Sequence, residues 1–471
     1  MNKITISEVP QYYTINQPDR LADFIKGELT PKKKEKNENG EVFTPLKLVN
    51  EMLDKLDEVY TKEHGLSIFS ESSFKWFDPA VGIGNFPIIL YQRLMIGLKT
   101  KIKHDEERRK HILENMIYAS ELTNKNVYIY KKIFCCDTYN LNIYEGDTLK
   151  MTPQMMWGID KFDVILGNPP YNIGGIRSHT GKQSGDKIET VWAKFIEKSF
   201  EWLKPNGFLV FINPLSWLKT SHPIHNMMLS YHIVWLKLWD NIKSLATING
   251  KIPISLFILQ NTKNSMNKKT EIISEIQSRK LTTSTTQYLN PKYSIPIAFH
   301  SIFNKLVEFI EAKNIELKCH VKTVKSLGTK VKMPSEYALG DMWAVDTYTI
   351  KEGVMVKKAV ELHVNANKRK LIIANKSSFT GAFIDEGKLG LTGKDKSYIL
   401  GDNLELLLKM LSFKICNIIS HFTKYRQDFL EKDVYTYLPD IRMLGISDIT
   451  EDEFYELIGF TCEEINQIRN I

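Results

Sequence analysis

The segment FKWFDPAVGIGNFPIILYQRL, residues 74–94, contains the pattern on which the fold depends. It predicts a short buried strand, a turn with two glycines and then a helix. Gly82 and Gly84 allow the backbone to turn tightly and to approach a ligand, and the N-terminus of the following helix can receive an anion such as a carboxylate. A strand followed by a turn and a helix is the building unit of a parallel sheet that is covered by helices.

The same alternation continues along the chain. A helix start is indicated at Thr44-Pro45, and residues 191–203 have the pattern of an amphipathic helix. Strands alternating with helices predict an α/β fold with a doubly wound, mainly parallel sheet over about residues 40–262. Further strands are predicted at IYASEL (117–122), LNIYEGDTL (141–149), FDVILGNPPY (162–171), FLVFINP (208–214) and IPISLFILQ (252–260).

Polar residues stand at the ends of four of these strands. Ligands of doubly wound sheets bind outside the carboxyl ends of the strands. Residues at these ends are therefore the candidates for a functional site, and they are Asp78, Glu121, Asp147 and Asn168.

The regions on either side of this sheet differ from it in composition. Residues 1–39, which include most of the charged run PKKKEKNENG (31–40), are predicted to be a solvated, mobile N-terminal segment. A polar stretch near residue 261 indicates a change of domain. Residues 263–471 are predicted to form a second, basic, mixed α/β domain, with strands from about residue 290, helices near 401–430 and a short helical pair at the end.

Composition and charge restrict the class of protein. The 471 residues allow two or three domains, and the formal net charge of +8 suits a polyanionic partner. No apolar run approaches the length of a membrane span, and the N-terminus lacks the apolar core of a signal peptide. The five cysteines show no metal-ligand spacing. We therefore expect a reduced, cytoplasmic protein without a metal site and without a membrane partner.

The turn and the strand-end acids favour an adenosine ligand. A carboxylate such as Glu121, at the end of the second strand, typically binds ribose hydroxyls. Asp147 can accept a hydrogen bond from an exocyclic adenine amine. The simpler interpretations are an exposed strand-end acid for Glu121 and a turn residue for Asp147. No Gly-Lys-Ser/Thr follows the turn and the acidic Asp78 begins it, so a positively charged ligand is favoured over one that carries phosphates.

The tetrapeptide Asn168-Pro169-Pro170-Tyr171 ends the fourth strand. Proline cannot donate to a sheet ladder, so a strand-terminating turn is the simpler interpretation. The alternative is catalytic. The Asn168 side-chain oxygen and the Pro169 carbonyl can accept both hydrogens of an aromatic amine and so free its lone pair to attack an electrophilic methyl group. Tyr171 would stack on the base, and the two prolines would fix the carbonyl directions.

This arrangement resembles the gamma-class N6-adenine DNA methyltransferases with an NPPY motif, known from type II restriction-modification systems. Phe43-Thr44-Pro45 is similar to the upstream cofactor motif of that family. Asp78-Pro79-Ala80, with Gly82, Gly84 and Phe86, is similar to its Gly-turn motif, although Val81 and Ile83 replace the more frequent Cys and Ser.

The resemblance implies a Rossmann-like, S-adenosylmethionine-dependent methyltransferase domain with a seven-stranded type of sheet. It also implies a base that is flipped out of double-stranded DNA, and a target-recognition domain at residues 263–471. The catalytic residues that it implies are Asn168, Pro169, Pro170 and Tyr171. The cofactor-binding residues that it implies are Thr44, Asp78, Ala80, Gly82, Gly84, Glu121, Asp147 and Asn168.

Two features stay open at this stage. Family members can carry an aromatic residue that covers the second face of the flipped base, but no aromatic residue lies between Trp239 and Phe257. The segment after Tyr171 contains Arg177, Lys182 and Lys187, which are predicted to lie near DNA phosphates. The simpler interpretation of that segment is a surface loop.

Other functions are compatible with parts of the pattern. The same tetrapeptide can hold an RNA adenine or a protein glutamine, although the basic second half argues for DNA. A non-catalytic DNA-binding protein that retains a cofactor fold is a remote alternative. About forty residues precede the cofactor domain, and no Asp…Glu-x-Lys set follows it, so modification without cleavage is expected. We expect a monomer, but a dimer, a separate restriction endonuclease and a viral origin all stay open.

Overall fold

The structure is a computed structural model that describes residues 14–15, 44–173, 189–240, 253–263, 268–334, 342–349, 351–374, 378–392, 396–425, 430 and 432–471. Two compact units divide the chain. The first contains residues 1–215 and 223–290, and the second contains residues 216–222 and 291–471.

One large sheet forms the centre of the first unit. The strands of the first unit are β1 (Trp76–Asp78), β2 (Ile117–Glu121), β3 (Asn142–Glu145), β4 (Phe162–Gly167), β5 (Asn172–Ile173), β6 (Glu189–Thr190), β7 (Leu203–Pro214), β8 (Tyr231–Trp239), β9 (Ile254–Lys263), β10 (Thr270–Ile276) and β11 (Leu281–Gln287). Nine of them form the sheet in the order β11-β10-β8-β9-β7-β4-β1-β2-β3, and β5 and β6 form a separate two-stranded ribbon.

The middle of this sheet is parallel, as predicted. Strand β1 pairs in parallel with both β2 and β4, and β4 pairs in parallel with β7. The chain order therefore reverses on either side of β1, which makes the carboxyl end of β1 a switch point where doubly wound sheets bind ligands. Strand β9 runs antiparallel between β7 and β8. The predicted doubly wound α/β fold is confirmed.

Helices complete the first unit, among them the predicted helix after Thr44-Pro45. Leu48, Met52 and Leu56 lie on one side of that helix and are buried in the core. The helices are α1 (Leu46–His64), α2 (Asn85–Gly97), α3 (Asp105–His111), α4 (Asn124–Ile133), α5 (Pro153–Trp157), α6 (Trp192–Trp202) and α7 (His225–Leu229).

The first unit extends beyond its predicted bounds, residues 40 and 262, in both directions along the sequence. Ile15, in the segment predicted to be solvated, is 4% exposed, and its amide donates to the Ile133 carbonyl. Strands β10 and β11 extend the sheet, so the unit ends at residue 290 rather than at 262. The alternate residues of β10 are buried, but the polar strand β11 lies at the edge of the sheet and is held through its backbone ladder.

The second unit is mixed α/β, as predicted. It contains a four-stranded sheet, β12-β14-β13-β17, and a three-stranded sheet, β16-β15-β18. The strands are β12 (Ser326–Lys332), β13 (Trp343–Thr349), β14 (Gly353–Ala359), β15 (Arg369–Ile373), β16 (Ala382–Glu386), β17 (Gly390–Leu391) and β18 (Ser397–Leu400). The helices are α8 (His300–Lys313), α9 (Leu404–Leu411), α10 (Lys414–Phe422), α11 (Glu451–Ile458) and α12 (Cys462–Arg469).

None of the helices within the described ranges is long and apolar enough to cross a membrane.

Candidate active site

The turn between β1 and α2 depends on its glycines. Gly82 has φ 57° and Gly84 has φ 104°, both in the left-handed region that favours glycine. A Cβ atom added at Gly84 would lie 2.9 Å from a ring carbon of Phe134. The turn therefore packs its backbone against an aromatic ring, and a larger residue at position 84 would have to displace that ring.

Glu121 holds this turn from the end of β2. Its Oε2 accepts a hydrogen bond from the Gly82 amide at 2.9 Å, and its Oε1 accepts one from the Thr123 amide at 2.8 Å. The residue is 8% exposed. The Asn126 Nδ2 also donates to the Oε1, at 3.4 Å. The carboxylate predicted to bind a ribose therefore also fixes the backbone of the Gly-turn, and within the described part of the chain one lone pair of its Oε2 remains for a ligand.

The Thr148 side chain connects the ends of the three strands β1, β2 and β3. This residue was not identified from the sequence. Its hydroxyl donates to the Pro79 carbonyl at 2.7 Å and lies 2.6 Å from the Ser120 hydroxyl. The adjacent Asp147 accepts from the Leu149 amide and forms a 3.1 Å ion pair with Lys150. Asp147 thus lies at the predicted edge of the sheet, half-buried and already partnered. The feature of the sequence that could have identified Thr148 is its position directly after Asp147, at the end of a predicted strand.

Asp78 is a buried carboxyl group with one open oxygen. Its Oδ1 accepts from the Ala80 amide at 3.0 Å, whereas its Oδ2 has no hydrogen-bond partner among the described residues. A Cβ atom at Gly167 would lie 2.8 Å from the Asp78 Oδ1, so this carboxyl group lies directly beside the end of β4. Burial, with a smaller effect of the negative Glu121, raises the pKa of Asp78 to about 8.

Asn168 follows β4 and is oriented by Thr44. The Asn168 Nδ2 donates to the Thr44 Oγ1 at 3.2 Å, and the Thr44 carbonyl accepts from the Asn85 Nδ2 at 2.8 Å. The side-chain oxygens of both asparagines are buried and have no partner within the described part of the chain. With the open oxygen of Asp78, which is an acceptor once this carboxyl group has lost its proton, three acceptors without a partner lie around Thr44 and the end of β4.

The rest of the tetrapeptide anchors the chain that follows. Pro169 is buried, and the half-buried Tyr171 packs against the core of the first unit. Burial raises the pKa of the Tyr171 phenol. The Tyr171 carbonyl accepts from the Val191 amide, and Asn172 pairs with Thr190 across the ribbon of β5 and β6. The three basic residues predicted to contact DNA, Arg177, Lys182 and Lys187, lie outside the described residues.

No aromatic residue lies between Trp239 and Phe257, and the rings of these two residues are themselves not accessible to a base. Trp239 and Phe257 are both 0% exposed, and the indole of Trp239 donates to Glu275 at 2.7 Å. Both rings are therefore part of the core, and neither one covers the second face of a flipped base.

The donor and acceptor pattern defines the ligand that fits. A buried acceptor without a partner costs about 1–3 kcal/mol, so three of them in one place favour the binding of a ligand that supplies donors. The side chains that these contacts place at the edge are carboxylates, amides and hydroxyls, and the basic Lys150 is paired with Asp147. The site therefore suits a ligand with ammonium or amine groups and suits phosphate poorly. S-adenosylmethionine carries an ammonium group, a sulfonium and an adenine amine, and it fits this set.

Comparison with known proteins supports the same family. Residues 89–241 match the family described as Eco57I restriction-modification methylase. The chain is 23% identical over 275 residues to an uncharacterized adenine-specific methylase of Mycoplasma pneumoniae, covering 44% of this chain and 60% of that protein. It is 26% identical over 216 residues to the modification methylase CviBIII of Paramecium bursaria Chlorella virus NC1A, covering 45% and 48%. These matches confirm the resemblance to adenine-specific methyltransferases of restriction-modification systems.

The chain spans only about half the length of these curated relatives. Among solved structures, the type IIL restriction-modification enzyme MmeI in complex with DNA matches with a TM-score of 0.50. It is 10% identical, over 96% of this chain and 82% of that one. At this identity the likeness concerns the fold alone.

Proposed function

We propose that the chain is a site-specific DNA methyltransferase that transfers a methyl group from S-adenosylmethionine to N6 of a flipped-out adenine in duplex DNA. The observation that carries this proposal is the group of three unpaired buried acceptors, on Asp78, Asn85 and Asn168. These acceptors suit two kinds of hydrogen-bond donor in adjacent positions. A cationic donor fits beside Asp78, and an uncharged N–H donor fits beside Asn168. A sulfonium cofactor and an aromatic amine meet both requirements.

When bound, S-adenosylmethionine supplies the electrophilic methyl group. The Asn168 oxygen and the Pro169 carbonyl accept the two hydrogens of the adenine amine and draw the nitrogen towards tetrahedral geometry. Thr44 keeps the Asn168 amide in one orientation, so this acceptor is in place before the base arrives. Tyr171 stacks on the base.

We assign the cofactor-binding site to the same carboxyl edge of the sheet, next to the site for the substrate adenine. Glu121 receives the ribose hydroxyls, and Asp147 receives the adenine amine of the cofactor after exchanging its contact with the exposed Lys150. Asp78 and Asn85 receive the ammonium group, since their open oxygens are buried beside the N-terminus of α2. Gly82 and Gly84 allow the close backbone approach, and the Ala80 amide keeps Asp78 in place.

The names of the relatives support this choice of substrate, since they describe adenine-specific methylation and modification. We assign the chain to the modification side of a restriction-modification system or to a methyltransferase without a cognate nuclease. Duplex DNA is its macromolecular partner, and the second unit is assigned to target recognition. A protein of this kind acts in the cytoplasm of a bacterial or virus-infected cell.

The test is methyl transfer from radiolabelled S-adenosylmethionine with wild-type protein and the Asn168→Ala variant. Duplex DNA, RNA and a glutamine-containing protein fraction serve as parallel substrates. We expect label in DNA only, a loss of at least about 10³-fold in the variant, and nearly unchanged cofactor affinity by calorimetry. Label in RNA or protein instead of DNA would assign the same site to a different substrate and overturn the proposal.

A further inference from the structure

A basic second domain was predicted from the sequence, but positive charge is not spread evenly over the second unit. Residues 291–471 contain 25 lysines and arginines against 24 acidic residues, and residues 401–471 contain 7 against 13. The segment between Glu316 and Glu336 is the opposite extreme, with five lysines and no acidic residue. The domain is therefore close to neutral as a whole, whereas this segment has no acidic residue among its lysines.

We call residues 317–332 the lysine ribbon, since an extended backbone holds them along the second unit. Single β-bridges pair His320 with Tyr398 and Val324 with Thr392. The His320 amide donates to the Tyr398 carbonyl at 2.8 Å, and the Val324 amide donates to the Leu391 carbonyl at 2.9 Å. The ribbon then continues into β12, which forms the edge of the four-stranded sheet. Its position is therefore fixed by backbone hydrogen bonds to several segments of the second unit.

The lysine side chains of the ribbon lie on the solvent side. Among the described residues only Lys330 has a carboxylate within reach, Glu352 at 4.0 Å. Because the other four carry no ion pair within that part of the chain, their charge is uncompensated there. All five are exposed: Lys318, Lys322, Lys325, Lys330 and Lys332.

Exposed apolar side chains border these lysines. Leu327 and Val331, within the ribbon, are 65% and 42% exposed, and Val360, whose amide donates to the Lys325 carbonyl, is 51% exposed. Large apolar residues grouped on a surface mark an interaction site more often than a solvated face. Lysines that alternate with apolar side chains can contact phosphates and the sugars and base edges between them.

We propose that the lysine ribbon binds the phosphate backbone of double-stranded DNA. This inference rests on the proposed function, because it names the surface of the second unit that holds the substrate. The register shift between Leu327 and Val331 shortens this segment by two residue steps, so from Lys318 to Lys332 it spans up to about 40 Å, and one turn of duplex DNA is about 34 Å long. The ribbon is therefore long enough to meet phosphates over a complete turn.

A different role for the same lysines is protection of the sheet edge. Exposed edge strands are templates for aggregation, and lysines on them prevent edge-to-edge pairing. This role explains Lys330 and Lys332 on β12, but Lys318, Lys322 and Lys325 precede the edge strand. The two roles differ in a measurable quantity, the dependence of DNA affinity on salt.

The experiment measures the affinity of the full chain for a fluorescein-labelled 30-bp duplex of mixed sequence, with NaCl increasing from low to physiological concentration. The test variant replaces all five ribbon lysines by Gln. The matched control replaces five exposed lysines of the first unit by Gln, which removes the same formal charge: Lys62, Lys99, Lys101, Lys103 and Lys110. Calorimetry with S-adenosylmethionine checks that the first unit of each variant is folded.

Each phosphate contact contributes about 0.9 to the slope of log affinity against log salt. If three to five ribbon lysines contact phosphates, the slope of the test variant falls by about 2.7 to 4.5. The control slope should change by less than about 1. An unchanged slope in the test variant, or an equal change in the control, overturns the proposal, as does increased self-association at unchanged DNA affinity. If the wild-type chain binds no duplex and methylates none, the proposed function itself fails.

Discussion

The Asn168 side chain and the Thr44 side chain, 124 residues apart in the sequence, are joined by a hydrogen bond of 3.2 Å. This bond uses the amide nitrogen of Asn168 and leaves its oxygen buried and open. Thr44 is itself held by the Asn85 side chain. The acceptor that the proposed reaction needs is thus oriented by the fold, and the segment before α1 contributes directly to the end of β4.

Replacing Thr44 by Val keeps the shape of the side chain and removes the oxygen that accepts from Asn168. Because the amide is then free to rotate, we expect the methyl-transfer rate at saturating cofactor to fall about 10- to 100-fold. Thr44→Ser retains the hydroxyl and should restore most of that rate. Single-turnover kinetics with bound cofactor measure the effect. Equal rates for the Val variant and the wild type would exclude a positioning role for Thr44.

The pKa of Asp78, about 8 in the folded protein against 3.8 for the ordinary group, makes stability depend on pH. Between these two values the unfolded chain loses the proton and the folded chain keeps it. The contribution of Asp78 to folding stability therefore falls as pH rises through this window, by up to about 1.4 kcal/mol per pH unit, and is level above about pH 8. Urea unfolding at pH 6, 7 and 8 measures the slope.

Asp78→Asn provides the control for this pH dependence. It removes the titrating group and keeps an acceptor for the Ala80 amide, so its unfolding free energy should depend less on pH than that of the wild type. In the wild type, binding of the cationic cofactor at pH 7 should release a proton, detectable by calorimetry in buffers of different ionisation enthalpy. The same slope and the same proton release in both proteins would show that Asp78 neither titrates in this range nor binds the cation.

Glu121→Gln tests the acid at the end of β2. The two oxygens of Glu121 accept from the Gly82 and Thr123 amides, and in Gln one of these positions becomes an NH₂ group that faces a donor. We expect cofactor affinity to fall about 10- to 100-fold, since both the turn and the ribose contact are affected. Calorimetry measures the affinity. The exposed Glu145→Gln, at the end of β3, is the control and should bind the cofactor as the wild type does.

Gly84→Ala tests the packing of the turn. The substitution adds a Cβ atom 2.9 Å from the Phe134 ring at a residue with φ 104°. Gly65 has φ 75°, and a Cβ atom added there would have no other atom within 4 Å, so Gly65→Ala reports the backbone strain alone. We expect about 1 kcal/mol of destabilisation for Gly65→Ala and about 2–4 kcal/mol for Gly84→Ala in urea unfolding. Equal values for the two variants would contradict the packing of the turn against Phe134.

The parallel centre of the sheet was predictable because its strands are continuous apolar runs that end at Gly, Pro or acidic residues. Strand β8 was missed, although Trp235, Leu236 and Leu238 are buried in it. Strand β11 was missed for a different reason. Its residues are mainly Thr and Ser, and at the sheet edge the backbone ladder rather than apolar burial determines the structure. The domain boundary at 262 was too early for the same reason.

The sequence predicted most residues that lie at the candidate site, but it did not predict the hydrogen bonds that connect them. Local motifs identify Asp78, Glu121 and Asn168, but a hydrogen bond between residues 44 and 168 depends on how α1 and β4 meet in the fold. Thr148 and Asn85 were not identified by a motif, since their roles depend on contacts with residues that are distant in the sequence, among them the carbonyls of Pro79 and Thr44. Tertiary contacts of this kind leave no periodic signal in one sequence.

Modified-base sequencing of DNA from cells that express the chain shows both the base that is methylated and the sequence around it. Cells that express Asn168→Ala serve as the control. We predict N6-methyladenine at one defined sequence in the cells with the wild-type chain, and none above background in the control cells. Methylation of cytosine, no modified base at all, or equal N6-methyladenine with the Asn168→Ala variant would contradict the proposed reaction.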